Sequence, residues 1–317
     1  MIPHLSAIAL GLAIDRIVGD PPNWPHPVRW IGTAITKLTK RWNHGPNAFR
    51  NGFLLLATIA VSSFLIVYAI VFLAYSLNVF AGIAVEALLI ASGLAQKSLK
   101  DAAMDVYNPL TNKHMELARE KLSWIVGRDT VGLSESEITR GVVETVSENT
   151  SDGVTAPLFW AFLLGAPGLW LYKAVNTLDS MVGYQNEEYE KFGFASAKAD
   201  DVLNFIPSRL TGMLILLMTE NKRSLTMRQR FSEWLRDAPK HPSPNSGWLE
   251  AATAVQLGVE LGGVNRYKGV ESDRARMGRP IHPLEAHHIK DAVSHMQTVT
   301  MGFFILFALG GILLGVA

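Results

Sequence analysis

The chain has 317 residues and a formal net charge of +1, and 49% of its residues are hydrophobic while only 18% are charged. The near-zero charge argues against a polyelectrolyte surface, so nucleic acid is not an expected partner. The sequence contains no cysteine, which excludes disulfides, thiolate metal ligands and cysteine nucleophiles. The apolar residues come in blocks, a pattern typical of a protein that crosses a membrane.

The N-terminal region combines a short apolar segment with a stiff polar loop. Residues 2–18 are predicted to be a first membrane segment, although the apolar run is shorter than the roughly 20 residues of a full span. In residues 15–32 the repeated prolines forbid a long helix. Charges and tryptophans in such a loop indicate either an anchor at the membrane surface or part of a binding site. The candidate site residues here are Asp15, Asp20, His26 and Arg29.

Two membrane helices follow. Residues 53–75 are twenty-three residues without a charge, and they are the strongest transmembrane prediction in the chain. Residues 79–95 return across the membrane and carry Glu86 in their middle. A glutamate at that depth usually faces protein or a cavity. We favour a hydrogen bond between Glu86 and a neighbouring helix over a direct catalytic role.

Residues 96–152 are predicted to be soluble and helical. Their lysines and arginines, like those of residues 29–50, indicate the cytoplasmic side by the positive-inside rule. Two spans between these stretches satisfy both placements.

The densest polar groups lie between Gly141 and Tyr184. If residues 142–152 are helical, Glu144, Glu148 and Asp152 fall on one face at intervals of four. Three like charges on one stripe repel one another, which favours the binding of a cation or a cationic substrate. The alternative is a solvated acidic face. Further polar candidates in this stretch are Asn149, Ser151, Lys173, Asn176 and Asp179.

The number of membrane crossings depends on two interrupted segments. Residues 154–172 lack a charge but contain Gly-Ala-Pro-Gly at 165–168, and residues 203–219 contain only a short apolar run. We predict that both segments are re-entrant, which keeps the polar clusters on one side of the membrane. If both crossed instead, residues 173–209 would lie outside the cell.

Residues 220–298 are predicted to be a second soluble helical region, and residues 299–317 a C-terminal span. A proline-stiffened loop precedes a helix whose free N–H groups favour an anion. The alternative is simple capping of that helix by Asn245 or Ser246. The candidates in and before this loop are Arg209, Lys240, His241, Ser243 and Asn245.

These elements together predict an all-α, polytopic integral membrane protein with four to six membrane segments and helical cytoplasmic loops. Residues 1–317 are expected to form a single membrane-embedded domain in the cell membrane, with the site facing the cytoplasm. The sequence lacks a Walker A motif, a zinc-protease motif and a glycine-rich dinucleotide fingerprint, so an ordinary P-loop is not expected. His287, Asp291 and His295 share a helical face at a spacing that suits zinc, but such residues often occur on polar helices by chance.

Five motifs occur in order between residues 12 and 270: DRIVGDPPNWPHPVRWIG, ETVSENTSDGVTAPLFWAFLLGAPGLWLYKAVNTLDSMVGY, FGFASAKADDVLNFIPSRLTG, DAPKHPSPNSGWLEAA and GGVNRY. They resemble the CobD/CbiB family of membrane-bound adenosylcobinamide-phosphate synthases of cobalamin biosynthesis. Residues 271–317 resemble the family only as a soluble stretch followed by a hydrophobic end.

The resemblance implies that aminopropanol, or aminopropanol O-phosphate, is ligated to adenosylcobyric acid with hydrolysis of ATP. ATP is then a substrate and Mg²⁺ the expected metal, whereas haem, flavin and structural zinc are not expected. The implied partners are adenosylcobyric acid, the amine, ATP, the lipid bilayer and other membrane-bound enzymes of cobalamin assembly. The oligomeric state and the choice between the two amines are not predicted.

The resemblance also implies site positions, to which we assign roles. The catalytic candidates are Glu148, Asp152, Lys173, Asn176 and Asp179. The substrate-binding candidates are Asp15, Asp20, His26, Arg29, Asn149, Ser151, Arg209, Lys240, His241, Ser243, Asn245, Asn265 and Arg266. The metal candidates are Glu144, Glu148, Asp152 and Asp179.

The alternative function is a membrane sensor or transporter of the same fold without ligase activity. A transporter would move its ligand across a vesicle and would form no ATP-dependent product. A CDP-alcohol phosphotransferase is set aside, because Asp152 and Gly153 are not followed by the Ala-Arg of that motif.

Overall fold

The computed structural model describes residues 2–21, 25–184 and 186–314. Residues 22–24 of the proline-rich loop and residues 315–317 of the predicted C-terminal span lie outside the described part. Helical residues make up 74% of the structure, which confirms the predicted all-α class.

Within the described ranges the chain forms thirteen α-helices and one β-hairpin. The helices are α1 (Ile2–Ile17), α2 (Pro27–Trp42), α3 (Ala48–Leu77), α4 (Val79–Ala91), α5 (Gln96–Thr111), α6 (Met115–Ser123), α7 (Glu135–Thr150), α8 (Ala156–Val182), α9 (Phe194–Leu203), α10 (Phe205–Met218), α11 (Met227–Asp237), α12 (Ser246–Leu257) and α13 (His287–Leu314). The strands are β1 (Glu260–Tyr267) and β2 (Val270–Gly278).

The chain divides into two compact units. The first unit contains the described residues within Met1–Lys97, Asp152–Asn204 and Phe304–Ala317. The second unit contains Ser98–Ser151 and Phe205–Phe303. The predicted grouping of the whole chain into one membrane-embedded domain stays a prediction.

Long apolar helices build the first unit. α3 packs along α8, α1 packs along α4, and α2 contacts both α3 and α8. Where α2, α3 and α8 meet, the side chains of Ile35, Leu55 and Leu178 are fully buried. Removing an aliphatic side chain of this size from water stabilises a fold by roughly 1.5–3 kcal/mol, so this core fixes α2 against its two neighbours.

Among the described residues, four helical segments are long and apolar enough to cross a membrane: Gly45–Leu77, Val79–Thr111, Glu135–Val182 and His287–Gly311. The pair formed by α9 and α10 is a fifth candidate if its two helices make one span. These segments confirm a polytopic membrane protein. The predicted segment at residues 2–18 forms α1, but at 16 residues α1 is shorter than these spans, and its crossing stays a prediction.

Glu86 ties α4 to three other helices of the first unit. Its carboxylate lies 3.2 Å from His4 Nδ1, and it accepts hydrogen bonds from the Tyr75 hydroxyl at 2.8 Å and the Ala166 N–H at 3.3 Å. The structural role favoured for Glu86 is confirmed. The Ala166 N–H is free to bond because α8 is broken at Gly165, whose φ of 71° and ψ of −166° are not helical. The break predicted from Gly-Ala-Pro-Gly is therefore confirmed, while the re-entrant path stays a prediction.

The second unit is arranged around α12, which packs against α7, α10 and α11. Its main difference from the predicted structure is the hairpin, because residues 220–298 were expected to be helical. Lys268 and Gly269, with φ of 50° and 81°, form a two-residue turn between β1 and β2. Gly262, with φ of 88°, allows an irregularity in the pairing that bends β1.

Replacement of Gly165 by alanine should destabilise the first unit. The added Cβ would lie 2.7 Å from Glu86 Oε1, and the positive φ disfavours any L side chain. We expect a loss of roughly 1–3 kcal/mol, measured as a lower thermal unfolding midpoint of protein purified in detergent. Gly310→Ala is the control, since an added Cβ there meets nothing within 4 Å. Equal midpoints for the two variants would contradict the role of this break.

Cysteine labelling in intact cells tests the orientation of the second unit. Single cysteines at Asn112 and Glu271, which are both exposed, should resist an impermeant thiol reagent because the positive-inside rule places them in the cytoplasm. A cysteine at Leu77, which is 78% exposed at the turn between α3 and α4, should be labelled. Labelling at Asn112 or Glu271 would show that the predicted orientation is wrong.

Candidate active site

A cavity of about 260 Å³ lies within the second unit. Its walls come from residues 125–128, from α7, from the loop before α12, from α12 and from the hairpin. The charged and amide side chains that line it are Arg128, Glu144, Glu148, Asn149, His241, Glu250, Asn265 and Arg274. The structure thus brings together Glu144, Glu148, Asn149, His241 and Asn265, which were separate candidates in the sequence.

α7 supplies two of the cavity's carboxylates. Glu144 and Glu148 are one helical turn apart and both line the cavity, as the predicted acidic stripe requires. Asp152 is not among the residues that line this cavity. α7 ends at Thr150, and the π-helical turn Ser151–Thr155 changes the angular phase of the residues that follow. Asp152 belongs to the first unit, and its placement on one face with Glu144 and Glu148 stays a prediction.

Glu144 holds a buried guanidinium group. Its Oε2 lies 2.9 Å from Arg128 Nη1, and its Oε1 accepts a hydrogen bond from the Gly262 N–H at 2.8 Å. Arg128 Nη1 also donates to Asn265 Oδ1 at 2.5 Å, and Arg140 Nη2 donates to the same oxygen at 2.9 Å. Glu144 and Asn265 therefore position arginines, in addition to the metal and substrate roles predicted for them.

Glu250 and His241 lie next to each other in the wall of the cavity. Glu250 Oε1 lies 3.5 Å from His241 Nε2, and both side chains are nearly inaccessible to solvent. Burial raises the pKa of Glu250 well above its ordinary value, and the negative charges of Glu144 and Glu148 raise it further. Burial lowers the pKa of His241. Both shifts favour the neutral forms and therefore weaken the ion-pair character of this contact.

Asp237 fixes the loop that carries His241. Its carboxylate accepts hydrogen bonds from Arg236 at 2.7 Å and Lys240 at 2.6 Å, and from the Gly278 N–H at 3.0 Å. Burial would raise the pKa of Asp237, but these donors lower it to about 2. Lys240 is bound to Asp237, and His241 is the residue of this loop that lines the cavity. The phosphate-binding role of Lys240 stays a prediction.

Ser243 caps α12. Its Oγ accepts hydrogen bonds from the N–H groups of Asn245 and Ser246, each at 3.2 Å. Capping by Asn245 or Ser246, the alternative considered for this loop, names the wrong residue. Asn245 Oδ1 instead accepts from Arg209 Nη1 at 3.2 Å, and the Arg209 guanidinium lies 4.7 Å from the Trp248 ring centre. These contacts build the start of α12, and the binding roles of Arg209, Ser243 and Asn245 stay predictions.

A second cavity, of about 790 Å³, lies within the first unit. Asp20, His26, Arg29 and Lys173 line it. His26 Nε2 lies 3.2 Å from Asp20 Oδ1, which orients the imidazole at the end of the proline-rich loop. The structure thus joins that loop to Lys173 of α8, although 144 positions separate Arg29 from Lys173 in the sequence.

A polar cluster surrounds Lys173. The lysine interacts electrostatically with Asp152 and Asp200, and Asn176 Nδ2 donates to Asp200 Oδ1 at 3.2 Å. The negative charges of Asp152, Asp179 and Asp200 also interact electrostatically with Tyr172, which is buried in α8. Four of the five predicted catalytic residues therefore lie in the first unit, and Glu148 lies in the second.

The three remaining candidates are Asp15, Ser151 and Arg266. Asp15 is 1% exposed, and its Oδ2 accepts the Gln96 N–H at 3.1 Å where α5 begins. Ser151 is fully buried in the π-helical turn. Arg266 is exposed and pairs with Glu271 at 2.9 Å. Their substrate-binding roles stay predictions.

A family model described as CobD/Cbib protein matches residues 8–296. The chain belongs to the CobD/CbiB family. It is 50% identical over 309 residues to the cobalamin biosynthesis protein CobD of Halalkalibacterium halodurans, with 97% of each chain covered. It is 41% identical to the cobalamin biosynthesis protein CbiB of Salmonella paratyphi B, with 94% of this chain and 96% of the relative covered. No solved structure gives a significant match.

In this CobD/CbiB chain the four predicted magnesium ligands are divided between the units, with Glu144 and Glu148 in the second and Asp152 and Asp179 in the first. Carboxylate oxygens of this kind suit Mg²⁺. Glu144 is already bonded to Arg128, so Glu148 is the member of the second unit whose surroundings fit a metal ligand better.

A different group brings three possible metal ligands close together. Among the described residues, ligand atoms of His287, His288 and Asp291 all lie within 4.8 Å of one another. The group contains His287 and Asp291, as the helical spacing predicted, but its third member is His288 rather than His295.

Three residues of the second-unit cavity were missed from the sequence: Arg128, Glu250 and Arg274. Arg128 lies in a turn and has no periodic pattern around it. Arg274 lies on a strand that was not predicted. Glu250 did carry a signal, because it is the single charged residue of α12, whose other residues are mostly apolar or small.

Replacement of Asp237 by asparagine should weaken the second unit in a pH-dependent way. The folded pKa is lowered from 3.8 to about 2, so the stabilisation is present above the ordinary value and is lost as the pH falls towards about 2. Near neutral pH we expect a loss of roughly 1–2 kcal/mol, allowing for solvent around the half-exposed partners.

Thermal midpoints of Asp237→Asn and the unsubstituted protein should converge as the pH is lowered from about 4 to about 2. Glu220→Gln is the control and should leave the midpoint unchanged, because its pair with Lys222 is exposed. A gap that stays constant over this pH range would contradict the assignment.

Proposed function

We propose that this CobD/CbiB protein catalyses the ATP-dependent ligation of aminopropanol, or its O-phosphate, to adenosylcobyric acid. The product would be adenosylcobinamide or its phosphate. The names of the two relatives support a role in cobalamin biosynthesis, and the five motifs support this reaction in particular.

The observation that carries the proposal is the mixed charge of the second-unit cavity. Glu148 lines it together with Arg128 and Arg274. A ligase of this type must hold an amine beside phosphate groups. Carboxylates are suited to the ammonium form of the amine, and guanidinium groups are suited to phosphate oxygens.

The chemistry requires that the carboxylate be activated, because a carboxylate anion does not react with an amine. A carboxylate oxygen of adenosylcobyric acid attacks the terminal phosphorus of ATP, the bond to the ADP oxygen breaks, and an acyl phosphate forms. The amine nitrogen then attacks the acyl carbon, the carbon–oxygen bond to phosphate breaks, and the amide and inorganic phosphate are released.

Glu148 is the proposed acceptor of the amine proton. It accepts a hydrogen bond from the Ser246 hydroxyl at 2.8 Å, which orients its carboxylate at the start of α12. Lys173 and Arg29, in the cavity of the first unit, are proposed to bind anionic groups of a substrate. Mg²⁺, when bound, would screen the charge of the phosphates, and Glu148 is the proposed ligand in the second unit.

The proposed location is the cell membrane, with the site facing the cytoplasm, where ATP is present. The lipid bilayer and other membrane-bound enzymes of cobalamin assembly are the proposed partners. No feature of the described residues favours the sensor or transporter alternative over the ligase.

Glu148→Gln should strongly reduce turnover while the protein still folds. The amide keeps the shape of the side chain and its bond to Ser246 but removes the charge and the proton acceptor. We therefore expect kcat to fall by roughly a hundredfold or more. Amide formation is followed with purified protein, adenosylcobyric acid, Mg-ATP and each amine in separate reactions, beside the thermal midpoint.

Glu135→Gln is the matched control, because Glu135 lies on the same helix and pairs at the surface with Lys113. It should retain full activity. Full activity of Glu148→Gln would show that the α7 carboxylates are a structural face. If the unsubstituted protein formed no amide but moved the corrinoid across the membrane of vesicles, the result would favour the transporter over the ligase.

A further inference from the structure

Arg128 has two buried donors that no described residue of the protein uses. Its side chain is 6% exposed, and Nη1 is bonded to Glu144 and Asn265. Nε and Nη2 are also buried, but neither has a hydrogen-bond partner in the part of the chain that the structure describes. Buried donors are normally paired, because an unpaired one loses its bonds to water without replacement. These two nitrogens therefore indicate a ligand.

His241 shows the same pattern on another wall of the same cavity. Its side chain is 6% exposed, and Nδ1 accepts the Ser243 N–H at 3.0 Å. In the neutral ring the proton must then lie on Nε2. Within the described residues Nε2 has no hydrogen-bond partner, and the nearby Glu250 oxygen lies 3.5 Å away.

Gly141 of α7, which has no side chain, leaves room for the guanidinium group of Arg128. A Cβ added to Gly141 of α7 would lie 2.3 Å from Arg128 Nη2. A glycine at this helical position costs stability, and here it accommodates the guanidinium group against the helix. Arg274 lines the same cavity from β2, so donors reach it from a turn, from the loop before α12 and from the hairpin.

We propose that Arg128, His241 and Arg274 form a subsite for a phosphate group within the second-unit cavity. Donors on three walls match the three terminal oxygens of a tetrahedral phosphate better than the two oxygens of a planar carboxylate. The Nε and Nη2 pair of Arg128 presents the parallel fork that binds phosphate in a bidentate manner. Glu144 and Asn265 hold the far side of the guanidinium and act as positioning residues.

This inference deepens the proposed function and rests on it for the identity of the ligand. The phosphate belongs either to ATP or to aminopropanol O-phosphate, since both carry the same tetrahedral group. Two separate titrations distinguish these sources.

The test is isothermal titration of the purified full-length protein with magnesium and a non-hydrolysable ATP analogue, and separately with aminopropanol O-phosphate, without corrinoid. Arg128→Lys keeps the charge that pairs with Glu144 but removes the fork. Arg274→Gln changes a half-buried residue on the hairpin. Arg276→Gln is the matched control on the same strand, where Arg276 pairs with Glu260 and Asp273.

We expect Arg128→Lys and Arg274→Gln to weaken binding of one of the two probes by roughly tenfold or more, while Arg276→Gln stays within about twofold. The thermal midpoint of Arg274→Gln should be unchanged. Weaker binding of the ATP analogue assigns the subsite to the nucleotide, and weaker binding of aminopropanol O-phosphate assigns it to the amine substrate.

Unchanged binding of both probes by folded Arg128→Lys and Arg274→Gln would overturn the subsite. This outcome is separate from a failure of the proposed function. If the unsubstituted protein bound a phosphate probe through these residues but formed no amide, the subsite would stand and the ligase would fall.

Discussion

The contact between Glu144 and Arg128 is the interaction on which the arrangement of the second-unit cavity depends. It joins α7 to the turn at residues 125–128, and through Asn265 and the Gly262 N–H it also joins both to β1. Breaking a buried ion pair by removing one partner costs roughly 3–5 kcal/mol, because the other charge is left without compensation. A cavity wall built from three distant parts of the chain is therefore maintained by one guanidinium group.

The first unit meets the same constraint in an apolar setting. Glu86 is 3% exposed, and a carboxylate in such surroundings is tolerated only when other groups bind it. His4, Tyr75 and the Ala166 N–H provide those contacts. The N–H is available because glycine at 165 adopts a backbone conformation that interrupts α8. A broken helix and a buried charge thus compensate each other.

These networks separate the polar residues of this CobD/CbiB protein into those that hold the structure and those that can hold a ligand. Glu144, Asn265 and Asp237 have several protein partners each. Arg128 and His241 retain buried donors that no described protein group uses. In a chain in which only 18% of residues are charged, such unused donors are the more informative sign of a binding site than charge alone.

The sequence by itself determined the family, the helical class and the long apolar spans, because motif order and runs of apolar residues are local properties. It also placed Glu144 and Glu148 on one helical face, since four residues make about one turn. It did not reveal the π-helical turn Ser151–Thr155 in which Asp152 lies, because a single wide turn leaves no periodic pattern in the sequence. Only the tertiary structure decided that Arg128, Glu250 and Arg274 belong to the same cavity, because proximity between residues that lie on different elements leaves no periodic trace in one sequence.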